Sequence, residues 1–66
     1  MDAVKTGRIC AQRRATGLSQ PIYAAMIGIP VRTIRAWEQG YKAPPLYVID
    51  LIDYKLIQMG YTIPKT

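Results

Sequence analysis

Side chains able to do covalent or acid–base chemistry are scarce in this chain. It has no histidine, one serine at Ser19, one cysteine at Cys10, and four acids at Asp2, Glu38, Asp50 and Asp53. General acid–base or nucleophilic catalysis needs a reactive group beside a base and an orienting partner, and this inventory offers no such constellation. An enzyme is therefore not expected. A lone cysteine closes no intramolecular disulfide, and without histidine or a second cysteine there is no zinc site, so the expected chain is reduced, metal-free and without a cofactor. What remains is cationic chemistry: nine Lys and Arg against four acids give a net charge of +5. Lys5, Arg8, Arg13, Arg14, Arg32, Arg35 and Lys42 precede Ala43, opposed only by Asp2 and Glu38, whereas Asp50, Asp53, Lys55 and Lys65 balance beyond it. The first two thirds should meet a polyanion.

The elements that must position these cations can be read between Gly17 and Gly40, GLSQPIYAAMIGIPVRTIRAWEQG. Ser19 stands where an N-cap hydroxyl would accept from a first-turn amide, which predicts a helix start. Pro21 then falls in the first turn, where its missing N–H leaves nothing unpaired, and Tyr23, Ala24 and Ile27 recur at helical spacing on the buried side. Gly28-Ile29-Pro30 supplies a residue tolerant of positive φ, an apolar plug and a ring whose fixed φ suits a new helix start. Ile34 and Trp37 mark the buried side of the next helix, Arg32, Arg35 and Gln39 project elsewhere, and Gly40 is its stop. Two short helices joined by a tight turn predict a helix-turn-helix over residues 18–40, with DNA as the expected ligand.

Leu18, Ser19, Gln20, Ala24, Gly28, Ile29, Thr33, Ile34, Trp37, Glu38 and Gly40 together resemble the motif of the Cro/repressor (XRE) helix-turn-helix family. The likeness covers about two fifths of the chain, and the flanking helices extend it. It departs at Pro30, where the family usually has a Ser or Thr cap worth about 1 kcal/mol, and at Pro21-Ile22, which replaces the usual glutamates. The resemblance implies an all-α, four-helix, lambda-repressor-like domain whose second motif helix lies in the major groove. By position, Val31, Arg32, Thr33, Arg35 and Ala36 then face base edges. Arg32 is the first candidate for a bidentate contact to guanine O6 and N7; Arg35 reads a second guanine or holds a phosphate. Gln20, Ser19, Tyr41, Lys42, Arg14 and Arg8 are the candidates for the DNA backbone. The resemblance sets Arg13 and Glu38 apart as a structural ion pair between the first helix and the end of the recognition helix. Trp37 is expected in the core.

Residues 1–66 make one domain, small enough to bury only about 60% of its unfolded surface, so oligomerisation would help it. A first helix is expected from residue 6 or 7 to 15, burying Ile9 with Ala11 or Cys10 and ending at Gly17. Residues 41–45, YKAPP, are an extended connection because each proline biases its predecessor away from helix. The fourth helix is expected over 45–59, with Val48, Ile49, Ile52, Leu56 and Met59 on its core side. Leu46, Tyr47, Leu51, Tyr54 and Ile57 lie across the opposite side, interleaved with Asp50 and Asp53. That is more apolar surface than a monomer leaves wet. A homodimer is the simplest occupant, with Tyr47, Asp50 and Tyr54 meeting their own copies or close neighbours; the alternative is packing against the tail or first helix of the same chain. Residues 61–66 form a tail, expected to fray rather than to extend as a short strand.

No apolar run approaches the roughly 20 residues of a membrane span, and residues 1–6 lack the apolar core of a signal peptide, so a cytoplasmic protein without membrane contact is expected. The leading expectation is a sequence-specific, dimeric transcriptional regulator of double-stranded DNA, with two half-sites about 34 to 36 Å apart. The resemblance suggests a repressor or autorepressor of a short operon of the phage or mobile-element type. A second reading is an antitoxin that binds both its operator and a toxin protein, using Ile22, Ala25 and Met26 or the tail. RNA binding would need exposed stacking residues that the sequence does not advertise.

Overall fold

Four helices in sequence, α1 (Ala3–Thr16), α2 (Gln20–Ile27), α3 (Val31–Gln39) and α4 (Leu46–Gln58), make up the computed structural model of the protein. It describes residues 3–63; Met1, Asp2, Pro64, Lys65 and Thr66, including the end of the expected tail, lie outside these. The described residues contain no strand, so the fold is all-α.

The turns follow from local chemistry. Gly28 ends α2 at φ 77° and lets its own N–H and that of Ile29 donate back to the Ala24 carbonyl at 2.9 and 3.1 Å. Gly40 closes α3 at φ 81°, and Tyr41 N–H donates to the Ala36 carbonyl at 3.0 Å. A reversal in this left-handed region, where a Cβ is costly, brings donors to the carbonyls left open at a helix end. Pro30 and Pro45 occupy the N-cap positions of α3 and α4; neither can cap with a side chain. Their carbonyls accept the first helical bonds, from Thr33 and Ile34 and from Val48 and Ile49.

The core joins Ile9 of α1, Tyr23, Ala24 and Ile27 of α2, Ile34 of α3, and Ile49, Ile52 and Leu56 of α4. Helix α1 packs against each of the other three. Val48 and Trp37 are half-buried at the margin of this core.

Several expectations need correction. Helix α1 begins at Ala3, not residue 6 or 7, and the residue buried beside Ile9 is Gln12, with Cys10 and Ala11 half-buried. A polar side chain occupies that place with its amide nitrogen bonded, for Gln12 Nε2 donates to the Ile49 carbonyl at 2.9 Å and to Asp53 Oδ1 at 2.7 Å, while Oε1 is buried with no hydrogen-bond partner among the described residues. Helix α4 spans Leu46–Gln58, with Pro45 outside it and Met59 at its C-cap, exposed rather than in the core. The chain turns at Gly60 and returns Tyr61 N–H to the Leu56 carbonyl at 3.0 Å. That reversal seats Tyr61 and Ile63 against the core, so this part of the tail is packed rather than frayed.

Candidate nucleic-acid interface

Helix α3 carries the candidate surface on a base prepared by α1 and α2. Its inner side is fixed by buried Ile34 and half-buried Trp37. Its outer side opens into a depression lined by Val31, Arg32, Thr33, Arg35 and Ala36, all five residues expected at base edges. Pro30, Gln39 and Tyr41 complete the lining. Gln39 was not among the expected contacts; its place one turn beyond Arg35 on the same helix was the signal that could have included it. Arg32, Arg35, Tyr41 and Lys42 are exposed.

Beneath this surface runs a chain of polar contacts through three helices. Glu38, whose side chain is only 8% exposed, accepts from Arg13 Nε at 2.7 Å and from Arg13 NH2 at 3.0 Å. The remaining end of the Arg13 guanidinium donates to the Leu18 carbonyl at 3.0 Å, so one side chain ties α1 to α3 and to the turn before α2. The hydrogen bond to this carboxylate raises the Arg13 pKa above its ordinary value, so the guanidinium keeps its charge. Gln20 Nε2 donates to Glu38 Oε1 at 3.3 Å, while Gln20 Oε1 accepts from Arg35 Nε at 3.3 Å. The first residue of α2 therefore bridges the buried ion pair and an exposed arginine of α3.

The remaining backbone candidates fall into two groups. Arg14 is exposed, as is Ser19. Ser19 has the extended backbone of an N-cap, but its hydroxyl makes no capping bond, which corrects the expectation; its carbonyl takes the Tyr23 N–H at 2.9 Å. The hydroxyl is thus uncommitted. Arg8 stands apart, for its NH2 donates to Asp50 Oδ1 at 3.0 Å and to Asp53 Oδ2 at 2.5 Å, joining α1 to α4. Bonds to Asp50 and Asp53 raise its pKa, and two carboxylates neutralise the charge that made it a phosphate candidate.

Helix α4 turns its second apolar side outward. Leu46, Tyr47, Leu51, Tyr54 and Ile57 are 53 to 66% exposed, so neither α1 nor the described part of the tail covers them. Asp50, expected to face its own copy, is engaged by Arg8 of the same chain.

The one thiol of the chain is drawn into the fold. Cys10 lies half-buried with Sγ 4.0 Å from the Glu38 carbonyl, and burial pushes its thiol pKa up, away from the reactive thiolate. Among the described residues no cluster of three or more His, Cys, Asp or Glu could hold a metal ion, and no helix is long and apolar enough to cross a membrane. Compared with models of protein families, with curated proteins and with solved structures, the chain matches none.

Proposed function

We propose that the protein is a cytoplasmic, sequence-specific double-stranded DNA-binding regulator of the Cro/repressor (XRE) type, acting by occupancy of its operator. The observation that carries this reading is the gathering of Val31, Arg32, Thr33, Arg35 and Ala36 around one open depression on α3. A helix with two exposed guanidinium groups on its outer side has the width to enter a major groove and the donors to read guanine there. Lys42, Arg14 and the Ser19 hydroxyl supply backbone contacts around it, and Gln20 both supports α3 and has an amide proton left for a phosphate. Occupancy alone then blocks a promoter, since nothing in these residues suggests catalysis.

In the same reading the protein works as a homodimer through α4. Support comes from the five large apolar side chains left open on that helix. A run of exposed large apolar side chains on one helix side marks an interaction surface, and a two-fold contact buries the same patch on both copies. Binding of an antitoxin type would add a toxin at Ile22 and Ala25, which are exposed on α2, although Met26 is drawn into the core margin.

The deciding experiment is a fluorescence-anisotropy titration against the DNA upstream of the protein's own gene, with scrambled DNA as control, across a salt series. A preference of about a thousandfold or more that persists as salt rises is the expected result. Equal, steeply salt-dependent binding to both duplexes overturns operator binding at that site. Co-purification of a toxin-like partner would move the balance to the second reading.

A further inference from the structure

We propose that Gln39, the last residue of α3, reads an adenine, and that α3 lies along the major groove and reads from both of its ends. The proposal rests on the DNA-binding reading and deepens it by naming a second base and its spacing from the first. A helix turns about 100° and advances about 1.5 Å per residue, so Arg32 and Gln39 stand within about 20° of one another around the axis and about 10 Å apart along it. Both are exposed, and both line the depression on the outer side of α3. Buried Ile34 and half-buried Trp37 occupy the opposite side, so Arg32 and Gln39 share the stripe that stands furthest out. Ala36 falls between them in the same lining and contributes only a methyl group. Arg35 lies about 60° to one side of Arg32.

That order of sizes fits a groove. A straight helix laid along a groove that winds round the duplex comes nearest the base edges at its middle and stands off at its ends. A short side chain in the middle lets the backbone approach, and long side chains at the ends span what the curvature opens. The depression runs the length of α3, from Pro30 before it to Tyr41 beyond it, as this arrangement requires. A helix entering by its N-terminus alone would carry Gln39 away from the bases. The Gln39 amide is also uncommitted, for no hydrogen bond joins it to the described residues. Its oxygen can accept from adenine N6–H while its nitrogen donates to N7, a pairing that only adenine completes in the major groove. With a rise of about 3.4 Å per base pair, that adenine lies about three base pairs from the guanine read by Arg32.

The test is selection of binding sites from a randomised duplex pool by the whole protein, with R32A, Q39A and Q39E selected in parallel. R32A and Q39A should each flatten the preference at one base pair by about tenfold, and the two pairs should lie about three apart. Q39E, which can only accept, should choose cytosine in place of adenine at its pair, because the cytosine N4 amino group donates. Neither a damaged fold nor a lost backbone contact produces such a change of chosen base. Since Gln39 is exposed, Q39A should melt as the unaltered protein does. Uniform weakening by Q39A with every preference intact overturns the proposal and makes Gln39 a backbone contact. No change in Q39A, or a lost pair that coincides with or adjoins that of Arg32, overturns it equally. If the unaltered protein selects no sequence, the DNA-binding reading itself fails, and the proposal with it.

Discussion

Arg13 of α1 and Glu38 of α3 meet in a two-point ion pair, Nε to Oε2 at 2.7 Å and NH2 to Oε1 at 3.0 Å, across 25 residues of chain. The carboxylate side is almost closed to solvent and the guanidinium side is about a quarter open. Such a pair contributes modestly while intact, because its attraction is offset by desolvation, but losing one partner strands the other. Here the stranded group would be Arg13, whose remaining bond is to the Leu18 carbonyl.

Glu38→Ala should therefore lower the unfolding free energy by about 3 to 5 kcal/mol, a large part of what a domain of this size possesses. Urea melts followed by helical circular dichroism measure it. A variant that melts like the unaltered protein would show that the pair is incidental to the fold. Recognition should suffer after folding does, because α3 loses its tie to α1.

How much of this could be read beforehand depended on whether a residue's role was local. Gly28 and Gly40 were legible because a helix stop with positive φ has one favoured residue type, and Tyr23, Ala24, Ile27 and Ile34 because helical spacing marks a buried side. The Arg13–Glu38 contact is not a matter of spacing; it could be expected only through the likeness of the motif to a family that carries such a pair. Gln12 and Arg8 show where such reading stops. Gln12 lies three residues after Ile9, on the face that periodicity assigns to the core, yet its polarity argued against burial until Asp53 and the Ile49 carbonyl came to meet it. Arg8 counted as a free cation because its carboxylates lie 42 and 45 residues away in sequence.

That arrangement separates the basic residues into two kinds with different expected behaviour on DNA. Arg32→Ala removes an exposed guanidinium from the α3 depression and should weaken binding to the preferred operator by about 1 to 3 kcal/mol, chiefly at one base pair. Arg8→Ala removes a charge already neutralised by Asp50 and Asp53, so operator affinity and its salt dependence should hold. Anisotropy titrations of both variants at two salt concentrations make the comparison. Equal losses would place Arg8 on the DNA despite its carboxylate partners.

The open side of α4 makes a prediction that needs no DNA. Leu51 is exposed and lies in the middle of the apolar patch, so Leu51→Glu removes no core contact and should leave the melting of the individual chain nearly unchanged. Across a two-fold contact, however, it brings a pair of like charges into an apolar surface, which should shift the protein from dimer to monomer. Sedimentation equilibrium over a concentration range reads this directly. An unaltered protein that stays monomeric at the highest concentration would remove α4 as a self-association surface in the absence of DNA.

Tyr23 supplies the pH dependence. Its ring is buried in the core and its hydroxyl has no hydrogen-bond partner among the described residues. Burial first, then the nearby charges of Glu38 and Asp53, push its pKa from 10.0 up to about 12. The folded chain thus holds this proton more tightly than the unfolded chain. The stability linked to it is fully present below the unfolded value of 10.0 and is lost as pH rises through the folded value of about 12. Between those limits the loss approaches about 1.4 kcal/mol per pH unit. Tyr23→Phe abolishes this dependence and removes a buried hydroxyl that has no partner among the described residues, so it should be neutral or stabilising at pH 7. Urea melts of the two proteins from pH 8 to 11.5 should give curves that run parallel below pH 10 and diverge above it, the phenylalanine variant remaining the more stable. Parallel curves over the whole range would mean that the phenolate is accommodated in the fold, and that the hydroxyl reaches solvent.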